Sequence, residues 1–256
     1  MQPPLLSDIV YGRKFGMALT LEVVRPPTPS GVGVIALSSG GWNSWPEAGK
    51  PDTAEFLERG QTVFIVMHGA RPKFGIPEIV QDIRRAVRFV RANAAQYGVH
   101  PQRLGLFGIS SGGNISLLTA SLGGLGDPSA KDPIDRENDQ VGAVACFYPP
   151  TDFRNYGEPG KIWIPYRPPG EERDDAALAE AYSPVVHFSA AMPPTHIMHG
   201  DADELVPIQQ GRTAIVRLSE LGVAHRFEER PDKGHGWTDM SAEFALCAEW
   251  FDRHLA

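Results

Sequence analysis

The apolar positions of this chain change period along its length, and the changes predict its elements. DIVYGRKFGMALTLEVVRP alternates apolar and polar residues on either side of a turn near Gly16, which predicts an antiparallel hairpin. Unbroken apolar runs then read as buried strands: GVGVIALSS, QTVFIVMH, RLGLFGI, GAVACFYPP and THIMHG. HRFEERPD alternates again. Between these runs the period lengthens to that of a helix. TAEFLERG is a short helix with a glycine stop at Gly60, and IPEIVQDIRRAVRFVRANAAQYG sets Ile79, Ile83, Val87 and Val90 on one face. NISLLTASLG, IQQGRTAIVRLSELG and SAEFALCAEWFDRHLA complete the series. Strands that alternate with helices predict an α/β fold. Its central sheet is mainly parallel behind an N-terminal antiparallel hairpin, with helices on both faces. The segment at about 151–182 is irregular, rich in proline, charge and aromatics, and too long for a plain connection. It is expected to form a short cap insertion within a single domain spanning 1–256.

In sheets of this kind binding residues gather beyond the carboxyl ends of the strands. Three polar loops fall there: 38–45, 108–113 and 199–207. The second, within LGLFGISSGGN, sets Ser110 and Ser111 side by side. Ser110 has Gly108 two residues before it and Gly112 two residues after it, whereas Ser111 has Ile109 and Gly113. Small residues flank a nucleophile where a strained strand-to-helix turn brings two backbones very close, so the spacing selects Ser110. A serine hydroxyl is a poor nucleophile near neutral pH and needs a base, which in turn needs an orienting carboxylate. In sheet hydrolases of this type the order along the chain is serine, acid, histidine. Two histidines lie late enough. His254 sits beside Arg253 in the last helix and reads as a surface residue. His235 lies in PDKGHGW, a glycine-flanked loop that suits an imidazole carried over the sheet edge. MHGDADELVP offers Asp201, Asp203 and Glu204. Asp203, at the turn before LVP, is expected to orient His235, and the other two to face solvent or cap the loop. His199 reads as a hydrogen-bonded turn residue. No metal-ligand spacing accompanies it, so neither a metal nor any other cofactor is expected.

GISSGG, HGDADELVP and GHGW, in this order, resemble the α/β-hydrolase family. YGRKFGMALTLEVVRP and DIRRAVRFVRANAAQYGVHPQRLGLFGISSGG are similar to its carboxylesterase and feruloyl-esterase-like branch, near the hormone-sensitive-lipase-like esterases. The resemblance runs over nearly the whole chain. It implies an α/β-hydrolase fold and a serine ester hydrolase working through an acyl-enzyme, with Ser110, Asp203 and His235 as its triad. Those relatives usually carry His-Gly-Gly-Gly after the first long parallel strand, and here the loop is Ser38-Ser39-Gly40-Gly41-Trp42. The chemistry needs backbone N–H groups rather than an imidazole. The expected oxyanion hole is therefore the amide of Ser111 with one from Gly40, Gly41 or Trp42, and Ser38 or Ser39 braces the loop. His68, at the end of the neighbouring strand, is the alternative donor.

Aromatics collect in the expected mouth loops: Trp42, Trp45, Phe74, Phe153, Trp163, Tyr166 and Trp237. Trp42, His68, Trp163, Tyr166 and Trp237 are expected to bind substrate, a small-molecule or oligosaccharide ester. Short-chain, acetyl and hydroxycinnamoyl esters of the plant-polysaccharide type fit such a lining. Two rivals share parts of the pattern: a small peptidase of the prolyl-oligopeptidase type, and a non-catalytic hydrolase-like binding protein. The chain of 256 residues leaves no room for the propeller domain of the first, and no triad member is missing as in the second.

Charge and composition exclude other classes. A net charge of −7 leaves no basic face for nucleic acid, and no run of eighteen apolar residues is present to span a membrane. RRAVRFVR at 84–91 is expected to be a solvated helix face. Cys146 and Cys247 sit in apolar runs and read as buried small hydrophobes. MQPPLLSDIV has neither a basic nor a long apolar signal region. The expectation is a cytoplasmic protein, or a secreted or periplasmic one whose signal peptide has been removed.

Overall fold

The computed structural model describes residues 5–49 and 52–256. Eight strands form one sheet: β1 (Leu5–Lys14), β2 (Met17–Val24), β3 (Gly31–Leu37), β4 (Thr62–Val66), β5 (Val99–Ile109), β6 (Ala143–Phe147), β7 (Thr195–Gly200) and β8 (His225–Arg230). Their order across the sheet is β1-β2-β4-β3-β5-β6-β7-β8. β1 and β2 pair antiparallel around Phe15 and Gly16, and β2 pairs antiparallel with β4. Every later pairing is parallel. The hairpin and the parallel sheet are those the sequence predicts. β3, β4, β6 and β7 are buried along almost their whole length, which is why they read as unbroken apolar runs.

The helices are α1 (Ala54–Glu58), α2 (Ile76–Ala92), α3 (Ser111–Ser121), α4 (Asp175–Tyr182), α5 (Pro184–His187), α6 (Gln209–Glu220) and α7 (Ser241–Leu255). Two hydrophobic layers sandwich the sheet. One joins α2, α3, α4 and α6 to residues such as Ile35, Leu37, Phe64 and Leu106. The other joins α1 and α7 to Val34, Ala36, Phe107 and Phe147. Ile79, Ile83, Val87 and Val90 are fully buried, as their spacing predicts. Among the described residues no helix is long and apolar enough to cross a membrane.

Two expectations need correction. The segment 151–182 is irregular only to Asp174. The carboxylate of Asp174 accepts from the amide of Ala177 and starts α4, so the last eight residues are helical. The arginine face of α2 is not simply solvated. Arg84 and Arg88 both pair with the buried carboxylate of Asp139, at 2.9 and 2.5 Å, and Arg85 pairs with Asp132 and Asp135. Arg91 donates to the carbonyls of Pro101, Asn138 and Gln140. These arginines clamp the loop between α3 and β6 onto α2.

Candidate active site

The turn from β5 into α3 is tight for a steric reason. A Cβ on Gly108 would stand 2.2 Å from the carbonyl oxygen of Gly112, so only glycine lets strand and helix pass. Ser110 caps the helix at φ 55°, ψ −120°, a region that costs a non-glycine residue about 1–3 kcal/mol. The strain is held by two backbone bonds: Ser110 donates its amide to Phe147 at 2.9 Å and accepts from Asn114 at 3.1 Å.

The loops after β7 and β8 bring the other two residues to this serine. His235 Nε2 lies 2.8 Å from Ser110 Oγ, and His235 Nδ1 lies 2.7 Å from Asp203 Oδ2. The side chain of Asp203 is fully buried. Its Oδ1 accepts from the amides of Leu205 and Val206, both at 2.9 Å. Burial alone would favour the neutral acid. Hydrogen bonds from His199, His235 and the Val206 amide outweigh it and hold Asp203 well below the ordinary carboxylate range. A carboxylate facing Nδ1 makes that nitrogen the donor, which leaves the Nε2 lone pair for the serine proton.

His199 is buried behind the acid. Its Nε2 lies 2.8 Å from the carbonyl of Val206 and 3.4 Å from Asp203 Oδ2. Both are acceptors, so Nε2 carries a proton and the carbonyl takes the stronger share. Asp201 and Glu204 are exposed, and Asp201 accepts from the Asp232 amide at 2.7 Å.

The loop after β3 is a two-residue turn. Gly40 and Asn43 exchange both backbone bonds, at 2.9 and 3.0 Å, with Gly41 (φ 54°) and Trp42 (φ 60°) between them. Positive φ at both central positions is the type I′ requirement, which glycine meets without cost and tryptophan does not. The Gly40 amide is thus already committed, which removes it from the three oxyanion donors expected from the sequence. Gly41 and Trp42 line the cavity with Ser110. Ser111, as the first residue of α3, has no intrahelical acceptor for its amide. Ser38 Oγ donates to the carbonyls of Trp45 and Ala48. Ser44 Oγ donates to Ser38 and accepts from the His68 amide. Ser39 and Ser111 pair through their hydroxyls at 3.0 Å, tying this loop to the serine turn.

A cavity of about 230 Å³ opens at Ser110, lined by Gly41, Trp42, Arg71, Tyr156, Trp163 and neighbouring prolines and aliphatics. Trp163 is thus in the cavity wall. Trp42 contributes to the wall but is only 4% exposed. Its indole donates to Asn114 Oδ1 at 3.1 Å and meets Phe153, Trp163 and Tyr166 at 6.0–6.3 Å. Tyr166 backs that wall, its hydroxyl donating to the Phe74 carbonyl. His68 and Trp237 are outside the cavity lining. His68 is buried with Nδ1 against the Gly69 carbonyl, and burial lowers it to about 4. Trp237 packs on Phe147 and Tyr148. A larger groove, about 730 Å³, runs between β1 and α2 and contains none of the residues named for the site.

The sequence reading missed three contributors. Asn114 accepts from Trp42 and donates to the carbonyls of Pro150 and Tyr182, joining turn, wall and α4. Tyr148, at φ 35°, packs 4.4 Å from the ring of His235. Tyr156 lines the cavity and donates to the Leu205 carbonyl in the acid loop. An asparagine four residues after the serine, on the buried face of α3, was the one usable signal.

The BD-FAE family model matches residues 23–218, most of the chain, from the end of β2 through β7 and into α6. The chain belongs to the BD-FAE family. Among curated proteins, this BD-FAE member is similar to LipM of Mycobacterium tuberculosis, named a probable carboxylic ester hydrolase. Identity is 28% over 229 residues, 84% of this chain and 52% of LipM. The chain spans about half the length of the curated relatives it matches first. A carbohydrate esterase from gut microbiota, in truncated form, shares its fold with a TM-score of 0.81 at 22% identity, over 98% of this chain and 96% of that one. The acetyl ester-xyloside bifunctional hydrolase of Caldicellulosiruptor lactoaceticus follows at 0.78 and 23% identity, over 93% and 88%. The chain thus has the α/β-hydrolase fold.

Proposed function

We propose that this chain is a serine ester hydrolase that cleaves short-chain carboxylic esters, acetyl esters of sugars among them. The observation that carries the reading is the continuous relay from Asp203 through His235 to a strained Ser110 facing a cavity. Ser110 Oγ attacks the ester carbonyl as His235 Nε2 takes its proton. The Ser111 amide and that of Gly41 or Trp42 receive the oxyanion. His235 then passes the proton to the leaving alcohol, and water repeats the sequence on the acyl-enzyme. Asp203 holds the imidazole and stabilises its cation. Similarity to proteins named as esterases supports the reaction class. The small cavity favours a compact acyl group. Its aromatics pack against one another, with Tyr156 tilted on Trp163 at 4.4 Å and the buried Phe153 stacked on Trp163 at 5.6 Å, rather than spread to sandwich a flat ring.

The test is turnover of 4-nitrophenyl esters of rising acyl length, acetylated xylan, methyl ferulate and a chromogenic peptide amide. Short-chain and acetyl esters should be cleaved best, and a fluorophosphonate should label Ser110. Ser110→Ala should abolish both signals, whereas Ser111→Ala should keep activity within about tenfold because its amide remains. No turnover by the wild type, or full activity in Ser110→Ala, would refute the proposal. Preference for the amide would favour the peptidase reading, and preference for methyl ferulate would move the substrate to hydroxycinnamoyl esters.

A further inference from the structure

Arg71 follows β4 and borders the cavity half-buried. Its position is fixed from several sides. The amide donates to the Trp42 carbonyl at 3.1 Å. With the Asn43 amide turned to satisfy both groups, Asn43 Nδ2 donates to the Arg71 carbonyl at 3.2 Å and Oδ1 accepts from Arg71 Nε at 3.1 Å. The guanidinium carbon stands 6.0 Å from the centre of the Tyr166 ring, a cation–π distance. Nη2 is 3.9 Å from the point where a Cβ on Gly41 would stand, so the charge is held directly beside the oxyanion loop.

Among the described residues that line the cavity, Arg71 is the sole cation and there is no carboxylate. Two arginines of the segment on the facing rim do have carboxylate partners: Arg154 pairs with Asp152, and Arg167 with Asp175. Nε of Arg71 is engaged by Asn43, and among the described residues neither Nη has a hydrogen-bond or ion-pair partner, while Nη2 lies beside Gly41 of the cavity lining. A planar guanidinium with a free edge is the side chain best matched to a carboxylate. The chain as a whole carries −7, so attraction for an anion at this point is local.

We propose that Arg71 determines specificity by receiving a carboxylate of the substrate, and that the substrate is an ester carrying negative charge close to the scissile carbonyl. The charge belongs either to the acyl side, as in a half-ester of a dicarboxylic acid, or to the alcohol side, as in an acylated uronic acid. This inference rests on the ester-hydrolase reading above.

Two substrate pairs separate the sources. 4-Nitrophenyl hemisuccinate is compared with 4-nitrophenyl pentanoate for the acyl side, and O-acetyl glucuronic acid with O-acetyl glucose for the alcohol side. In one pair the charged ester should exceed the neutral one roughly ten- to a hundredfold in kcat/KM, mostly through KM. Arg71→Gln should abolish that ratio whatever loss both esters share, and Arg71→Lys should restore part of it. A purely structural role for Arg71 would lower both esters alike. No preference in either pair, or a preference that survives Arg71→Gln, overturns the proposal. Binding provides a readout independent of turnover: monomethyl succinate and the methyl ester of glucuronic acid, with its free-acid counterpart, are titrated calorimetrically into Ser110→Ala with and without Arg71→Gln. Arg71-dependent binding of an anion in a protein that cleaves no ester would keep the anion site and remove the hydrolase reading. Ester turnover without charge preference would do the reverse.

Discussion

Asp203→Asn offers the sharpest test of the relay, because the structure dictates how the new amide must sit. Oδ1 accepts from two backbone amides, Leu205 and Val206, each at 2.9 Å. An asparagine must keep its oxygen there, since turning it over would set an NH2 group against two N–H donors. Its NH2 therefore faces His235 Nδ1, where the carboxylate oxygen now lies at 2.7 Å. Two donors cannot share that contact, so Nδ1 becomes the acceptor and the ring proton moves to Nε2. Nε2–H then points at Ser110 Oγ across 2.8 Å and cannot take its proton. The change also removes the negative charge that stabilises the imidazolium. A comparable substitution in a serine protease lowers kcat about 10⁴-fold, which corresponds to ~5.5 kcal/mol of activation free energy. The same loss is expected here with little change in KM, measured with 4-nitrophenyl acetate alongside circular dichroism to verify the fold. Asp201→Asn is the control. Its carboxylate accepts only from the exposed Asp232 amide, and the variant should stay within about threefold of wild type, as exposed substitutions generally do. Activity in Asp203→Asn within tenfold of wild type, or an equal loss in Asp201→Asn, would refute the assignment.

Two further predictions concern the oxyanion loop and acid stability. Gly41→Val forces a branched side chain to φ 54° and should lower kcat by about a hundred- to a thousandfold if a donor is displaced, whereas Ser38→Ala, which removes only bonds to Trp45 and Ala48, should cost ~1–2 kcal/mol of stability and less than about tenfold in kcat. Equal kinetic losses in the two variants would place the oxyanion hole elsewhere. Burial lowers both His68 and His196 from 6.5 to about 4, so between these values the unfolded chain binds protons that the folded one refuses. Stability is therefore undiminished above pH 6.5 and falls as pH drops toward 4, by about 2 kcal/mol per histidine at pH 5. Among the described residues neither ring nitrogen of His196 has a hydrogen-bond partner, so His196→Leu should shrink the loss seen in urea melts at pH 5 against pH 7 by about that amount, and an unchanged loss would refute the linkage.

The parts of the fold that were legible in the sequence are those fixed by local rules. Unbroken apolar runs mark strands covered on both faces, and the 3.6-residue spacing of Ile79, Ile83, Val87 and Val90 marks the buried face of α2. The glycine frame of Ser110 is also local, because the clash at Gly108 involves a residue only four positions on. What was not legible depends on partners far along the chain. The polar face of α2 reads as solvated until Asp132, Asp135 and Asp139 arrive some fifty residues later. Trp42 reads as a mouth residue until Asn114 is seen to accept its indole. Arg71 carries no local signal at all. The helix at 175–182 is a different failure: Asp174 followed by an alanine-rich stretch is a local start signal, hidden by the irregular chain before it.

The oxyanion loop shows how one departure from a family pattern can be met by different chemistry. The resemblance implies a histidine anchoring this loop, and the chain has Ser38 there. A histidine supplies two nitrogens at the end of a long side chain. Here three short hydroxyls divide the work: Ser38 holds the far end of the loop, Ser44 links it to the segment after β4 through the His68 amide, and Ser39 reaches Ser111. The last contact matters most, because it joins the two backbones whose amides the proposed mechanism brings to one oxygen. Each hydroxyl bond is modest alone, about 1 kcal/mol. Together with the two backbone bonds between Gly40 and Asn43 they fix a turn in which Gly41 and Trp42 keep their amides out of the internal bonding while Gly40 does not. The loop is thus held without a histidine, its anchoring spread over a network at 38–44.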